Sequence, residues 1–71
     1  MQLSVKQYDA LERAITDGRR IAVMRRGTEF LLVPVRLMLR NSREAIEARH
    51  PSTGAELTIW IDEAESIEVV R

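Results

Sequence analysis

The chain contains no cysteine and a single histidine, His50. Disulfides and thiolate zinc sites are therefore excluded, and one imidazole cannot build a histidine-rich metal site. Its three glycines, Gly18, Gly27 and Gly54, stand singly, so no glycine-rich loop cradles a phosphate. Aromatics are confined to Tyr8, Phe30 and Trp60, too few for a ladder of stacked bases. No apolar run approaches the roughly 18 residues of a membrane span. The opening stretch, MQLSVKQYDALERA, mixes acids with bases and has no apolar core, so it does not read as a signal peptide. A cytoplasmic protein with no membrane association is expected.

What is present is an ordinary globular composition, 45% hydrophobic and 31% charged over 71 residues, far from the polar, highly charged regime of disorder. The length allows one domain spanning residues 1–71. A chain this short buries only about 60% of its unfolded surface, so the core is thin and a homo-oligomer is a natural supplement.

Net charge is zero, yet the sign is unevenly distributed. Residues 19–43 carry Arg19, Arg20, Arg25, Arg26, Arg36, Arg40 and Arg43 against Glu29 alone, a net +6, whereas residues 44–71 sum to −5. Ten of the eleven bases are arginine, whose planar fork pairs bidentately with carboxylate or phosphate. Basic and acidic strands can neutralise each other across a sheet or across a subunit interface, or the arginines can face a polyanion.

Ser4 and Gln7 form a capping box that predicts a helix over 5–17. Val5, Tyr8, Leu11 and Ile15 recur at helical spacing and place one stripe on a core, and Gly18 suits the left-handed residue that ends it. The apolar period then changes to two. Strands are expected over 20–25, 29–40, 44–50, 56–62 and 66–70, separated by turns at Arg26–Gly27–Thr28, Asn41–Ser42, Pro51–Gly54 and Glu63–Ala64–Glu65. The second strand presents Leu31, Val33, Val35, Leu37 and Leu39 on one face, and Pro34 within it calls for a bend, bulge or edge. The expected core is Leu11, Ile15, Ile21, Val23, Val33, Val35, Leu37, Ile46, Leu57, Ile59, Ile61, Ile67 and Val69.

These elements predict a mainly β fold with one helix, of the α+β class: a five-stranded, strongly bent antiparallel sheet closed into a small barrel, with the helix plugging one end. The order resembles the Sm-like (SH3-like) small barrel of the Sm, LSm, Hfq and WYL-domain group. Ala14–Ile21, Val33–Leu37, Gly54–Leu57 and Ile61–Val69 are similar to the helix end, proline-bearing second strand and closing strands of the WYL domain. The signature residues of the group are absent. Glu44–Ala45–Ile46 stands in place of the Trp-Tyr-Leu triplet, and Glu63 follows Asp62 in place of an arginine. Where Sm proteins and Hfq carry RNA-contacting residues, the turns read Asn41–Ser42–Arg43 and Asp62–Glu63–Ala64–Glu65. No binding residue transfers from the resemblance.

No catalytic, cofactor-binding or metal-binding residue is assigned, and no cofactor is expected. His50, beside Pro51 at a strand end, lacks a positioned partner for general-base chemistry, and the acids 62–68 lack the glycine and oxygen alternation of a calcium loop. Trp60 alternates against Leu57, Ile59 and Ile61 and so points outward, where it can fill an interface, pack locally or stack on a base. Two roles from different classes follow. One is a non-enzymatic assembly or interaction module, a dimer or ring using Trp60, Arg36, Glu68 and Val70, with strand four pairing on strand five of the next copy as in Sm-like proteins. The other is binding of single-stranded nucleic acid, RNA or DNA, through Arg19, Arg20, Arg25, Arg26, Arg36, Arg40 and Arg43.

Overall fold

In the computed structural model, which describes residues 1–70, the helix α1 (Val5–Asp17) begins where the capping pattern places it. The Gln7 amide donates to Ser4 Oγ at 3.1 Å and the Ser4 amide donates to Gln7 Oε1 at 2.9 Å, so two otherwise orphaned donors are satisfied. Gly18 ends it at φ +68, and the next amide, of Arg19, donates back to the Ala14 carbonyl at 2.9 Å. The buried stripe is narrower than the sequence implies. Leu11 and Ala14 are buried and Ile15 half-buried, whereas Val5 is 80% exposed and Tyr8 lies at the surface. The first helical turn overhangs the sheet, and Met1 and Leu3, ahead of the helix, pack against the core in its place.

Five strands follow: β1 (Ile21–Arg25), β2 (Thr28–Arg40), β3 (Arg43–Arg49), β4 (Glu56–Trp60) and β5 (Ser66–Val69). Two-residue turns join the first three. Arg26 and Gly27 (φ 52 and 74) lie between the paired Arg25 and Thr28, and Asn41 and Ser42 (φ 49 and 63) between Arg40 and Arg43. Both central residues of each turn are left-handed, the geometry whose twist matches that of the flanking strands.

The sheet order is β4-β3-β2-β1-β5, and every neighbouring pair is antiparallel. β4 and β5 do not pair with each other, so the expected closed barrel is corrected to an open five-stranded sheet. The cause lies after Trp60. β4 stops two residues short of the expected Asp62, and a one-turn 3₁₀ helix, Ile61–Glu63, turns Ile61 and Ala64 into the core before β5 crosses to β1.

β2 also departs from simple alternation. Its first half pairs with β1 through Thr28–Leu32, its second half with β3 through Val33–Arg40, and a bulge shifts the register between Pro34 and Arg36. The inserted residue, Val35, reverses the alternation. Phe30, Leu32 and Pro34 face inward before the bulge and Leu37 after it, so Leu31, expected on the inward face, is 41% exposed, and Val33 and Val35 leave the expected core. Leu39 keeps its inward parity but is 70% exposed, because the β2–β3 hairpin projects beyond the cover of α1.

The observed core joins Leu11, Ile21, Val23, Ile46, Ile59, Ile61 and Ile67, all expected, to Ala14, Leu32, Ala48 and Ala64, with Leu37, Leu57 and Val69 packed at its margin. Ile59 is fully buried opposite Ile46. Its truncation to alanine removes about 2–5 kcal/mol of stability in urea unfolding, whereas Leu39→Ala changes it by no more than about 0.5 kcal/mol.

Candidate interaction surface

The face of β2, β3 and β4 turned away from the core carries the outward-pointing residues in cross-strand rows. Arg36, Glu47 and Thr58 form one row, and Met38, Ala45 and Trp60 the next. In the first, Arg36 Nε and Nη2 donate to Glu47 Oε2 at 3.3 and 3.1 Å. In the second, Ala45 is fully buried although it points away from the core, because Met38 and Trp60 flank it. Trp60 is outward-facing and half-buried.

Arg43 completes this cluster. Its Cζ lies 4.3 Å from the centre of the Trp60 ring, within the range of a cation–π contact. The same guanidinium makes a bidentate pair with Asp62, Nε to Oδ2 at 2.9 Å and Nη2 to Oδ1 at 2.8 Å, and approaches Glu63 Oε2 at 3.6 Å. The hydrogen bond from Arg43 holds the Asp62 carboxyl below the usual aspartate range, and the Asp62 contact raises the Arg43 guanidinium. The acidic turn is thus the counter-charge of the basic segment across 19 residues of sequence. Nothing local to Asp62 signals this partnership.

The arginines of residues 19–43 are not gathered into one patch. Arg36 and Arg43 are ion-paired, and Arg25 lies over the Phe30 ring at 5.0 Å. Arg19, Arg20, Arg26 and Arg40 make no ion pair among the described residues. They occupy different corners: Arg19 and Arg20 precede β1, Arg26 is in the turn after it, and Arg40 ends β2. A five-residue strand is about 17 Å long, which separates Arg20 from Arg26 by more than one phosphate spacing.

Of the residues expected at a self-association surface, Trp60 and Arg36 share the outer face of the β2–β3–β4 half, while Glu68 and Val70 lie at the other margin of the sheet. Glu68 is exposed opposite Ala22, and the Val70 amide donates to the Arg20 carbonyl at 2.8 Å. The backbone edges of β4 and β5 have no strand beside them. His50 closes a turn: its amide donates to Ala55 O and its carbonyl accepts from the Gly54 amide, both at 2.9 Å. Among the described residues no three His, Asp or Glu side chains gather as a metal set, and no helix is long and apolar enough to cross a membrane.

No family model and no curated protein matches the chain. Among solved structures it is similar to a part of proteasome accessory factor B/C (PafBC) of Arthrobacter aurescens, with a TM-score of 0.74 and 24% identity. The likeness covers 97% of this chain and 12% of that one. It is a likeness of fold, a WYL-like small β-fold, and the chain spans about an eighth of that protein's length.

The depressed Asp62 carboxyl sets a pH dependence. A carboxyl whose folded pKa lies below its unfolded value stabilises the fold above the ordinary aspartate range, near 3.9, and that contribution disappears as pH falls through the folded value. Asp62→Asn is therefore less stable than wild type in urea at pH 7, and the gap narrows as pH falls below the ordinary aspartate range. Salt narrows it too, because both partners are solvent-exposed. Arg43→Ala shifts Trp60 emission through loss of its ring contact.

Proposed function

We propose that this chain is a non-enzymatic assembly and interaction module that associates with further copies of itself through its free strand edges. Trp60, Arg36, Glu68 and Val70 are the residues proposed at or beside the contacts. The open sheet carries this reading. A small sheet with two unpaired margins presents rows of backbone donors and acceptors that another strand satisfies, and a thin core gains from the extra burial. The fold likeness supports it as well, since a comparable unit forms a minor part of a longer protein, PafBC. A cytoplasmic location belongs to the same proposal. So does the absence of enzymatic activity, because one histidine and no cysteine give the sequence little from which to build a nucleophile and base.

Binding of single-stranded nucleic acid is the competing reading. Its support is the five arginines of this segment without ion pairs among the described residues, Arg19, Arg20, Arg25, Arg26 and Arg40; their dispersal counts against a continuous phosphate track.

Light scattering separates the two. The module has a mass above 8.2 kDa that rises with protein concentration and does not change when mixed single-stranded oligonucleotides are added at low or high salt. Oligonucleotide binding that falls steeply with salt establishes the competing reading instead. Trp60→Ala weakens self-association without abolishing folding.

A further inference from the structure

A third backbone edge lies inside the sheet. β1 pairs with β2 only as far as Leu32, so beyond the bulge β2 has β3 on one side and no strand on the other. In a two-residue hairpin the flanking pair exchanges hydrogen bonds, and bonded residues then alternate along the strand. Arg40, Met38 and Arg36 therefore direct their backbone groups to β3, and Leu39 and Leu37 direct theirs to the vacant side. Among the described residues neither leucine has a backbone partner outside the ladder. An open trough of about 580 Å³ runs along this edge, and among the described residues only Arg36 to Asn41 line it.

The edge has a chemical pattern that selects its occupant. Leu37 and Leu39 lie on the inner face, and Arg36 and Arg40 on the outer face. Two β2 edges cannot pair with each other comfortably, because Arg36 of one would lie opposite Arg40 of its partner in the antiparallel register centred on Met38. The β4 edge fits badly for a different reason. Its backbone groups on the free side belong to the outward residues Glu56, Thr58 and Trp60, because Leu57 and Ile59 are bonded to β3. Joining it to β2 would set an outer face against an inner one. β5 has the matching parity. The bond from Val70 to Arg20 and the register with β1 turn Ser66, Glu68 and Val70 toward β1, leaving Ile67 and Val69 with their backbone on the free side and their side chains inward.

We propose that the distal edge of β2, Leu37–Arg40, is the docking site for β5 of a second copy of this chain, in antiparallel register with Leu37 opposite the partner's Val69 and Leu39 opposite the partner's Ile67. The inner faces then run on as one apolar surface from copy to copy. On the outer face Met38 meets the partner's Glu68, which lies diagonal to both Arg36 and Arg40, within reach of long side chains. Arg36 remains available because its pair with Glu47 uses only Nε and Nη2. The contact joins two different surfaces, so successive copies build a ring where the rotation closes and a filament where it does not. This inference rests on the self-association proposed above and replaces a β4–β5 junction with a β2–β5 one.

Sedimentation across a concentration series tests it, with far-UV circular dichroism confirming that each variant is folded. Glu68→Arg alone, and Arg36→Glu with Arg40→Glu, are each expected to weaken association roughly tenfold, since opposite-charge diagonals become like-charge ones. The triple variant, with all three charges exchanged, is expected to recover association to within about threefold of wild type. Leu39→Pro, which removes an edge amide with no partner among the described residues, is expected to weaken it as well. Association indifferent to the charge changes, or a triple variant as weak as its parents, overturns the β2–β5 junction while leaving self-association intact. A chain that stays at 8.2 kDa up to millimolar concentration overturns both. If that monomer binds a synthetic extended peptide of alternating leucine and glutamate at Leu37–Arg40, the edge belongs to a different protein and the second copy is excluded.

Discussion

The bulge between Pro34 and Arg36 is the constraint on which the rest of this structure depends. A 13-residue strand is too long for so small a core to use as a flat element, and one inserted residue lets it serve two partners. Through Leu32 it pairs with β1, which carries β5, and from Val33 onward with β3, which carries β4. Pro34 is placed where this division costs least. It is buried next to the point at which β1 ends, and it has no amide that a missing strand would leave unsatisfied.

The second organising feature is the short turn between β4 and β5, which four separate parts of the chain hold. The amino-terminal ammonium of Met1 donates to the carbonyls of Ile61 and Ala64 at 3.2 and 3.1 Å, and Arg43 clamps Asp62 from β3. The Glu65 amide donates to Met24 O at 2.7 Å, and its carboxylate accepts from the Gly27 amide at 2.8 Å in the β1–β2 turn. These contacts direct β5 to β1 and away from β4. The openness of the sheet, and hence its free margins, follows from how this turn is held.

Charge in this chain acts mainly within the sheet. The basic middle and acidic end meet as Arg36 with Glu47, Arg43 with Asp62 and Glu63, and Arg49 with Glu56. Each pair is solvent-exposed and contributes little singly, but together they occupy arginines that would otherwise present a cationic surface to a polyanion. The exposed carboxylate of Glu68 and the guanidinium of Arg40, which has no ion pair among the described residues, lie instead beside free backbone edges. In the proposed self-association, complementary charge there selects the register more than it adds affinity.

Local chemistry made much of the fold legible. The capping box and Gly18 set both ends of α1, and the two-residue turns at Arg26–Gly27 and Asn41–Ser42 set the hairpins. Simple alternation placed Ile21, Val23, Ile46, Ile59 and Ile67 inward, because in short strands a period of two leaves no other choice. The same alternation turns Trp60 outward. Pro34 marked the place of the bulge in β2, but the change of phase after it was not legible: Leu31, Val33, Val35, Leu37 and Leu39 form an unbroken alternating row, and only the competing ladders of β1 and β3 decide which of them face inward. Nor could sequence reveal the burial of Ala45 beneath Met38 and Trp60, or the pairing of Arg43 with Asp62, since both join residues brought together by the ladders. Sequence by itself determined the elements, their order and the inward face of the short strands, all governed by interactions within a few residues. Tertiary structure alone decided that the sheet stays open and which backbone edges stay bare, because both depend on how distant segments compete for the same hydrogen bonds and the same small core.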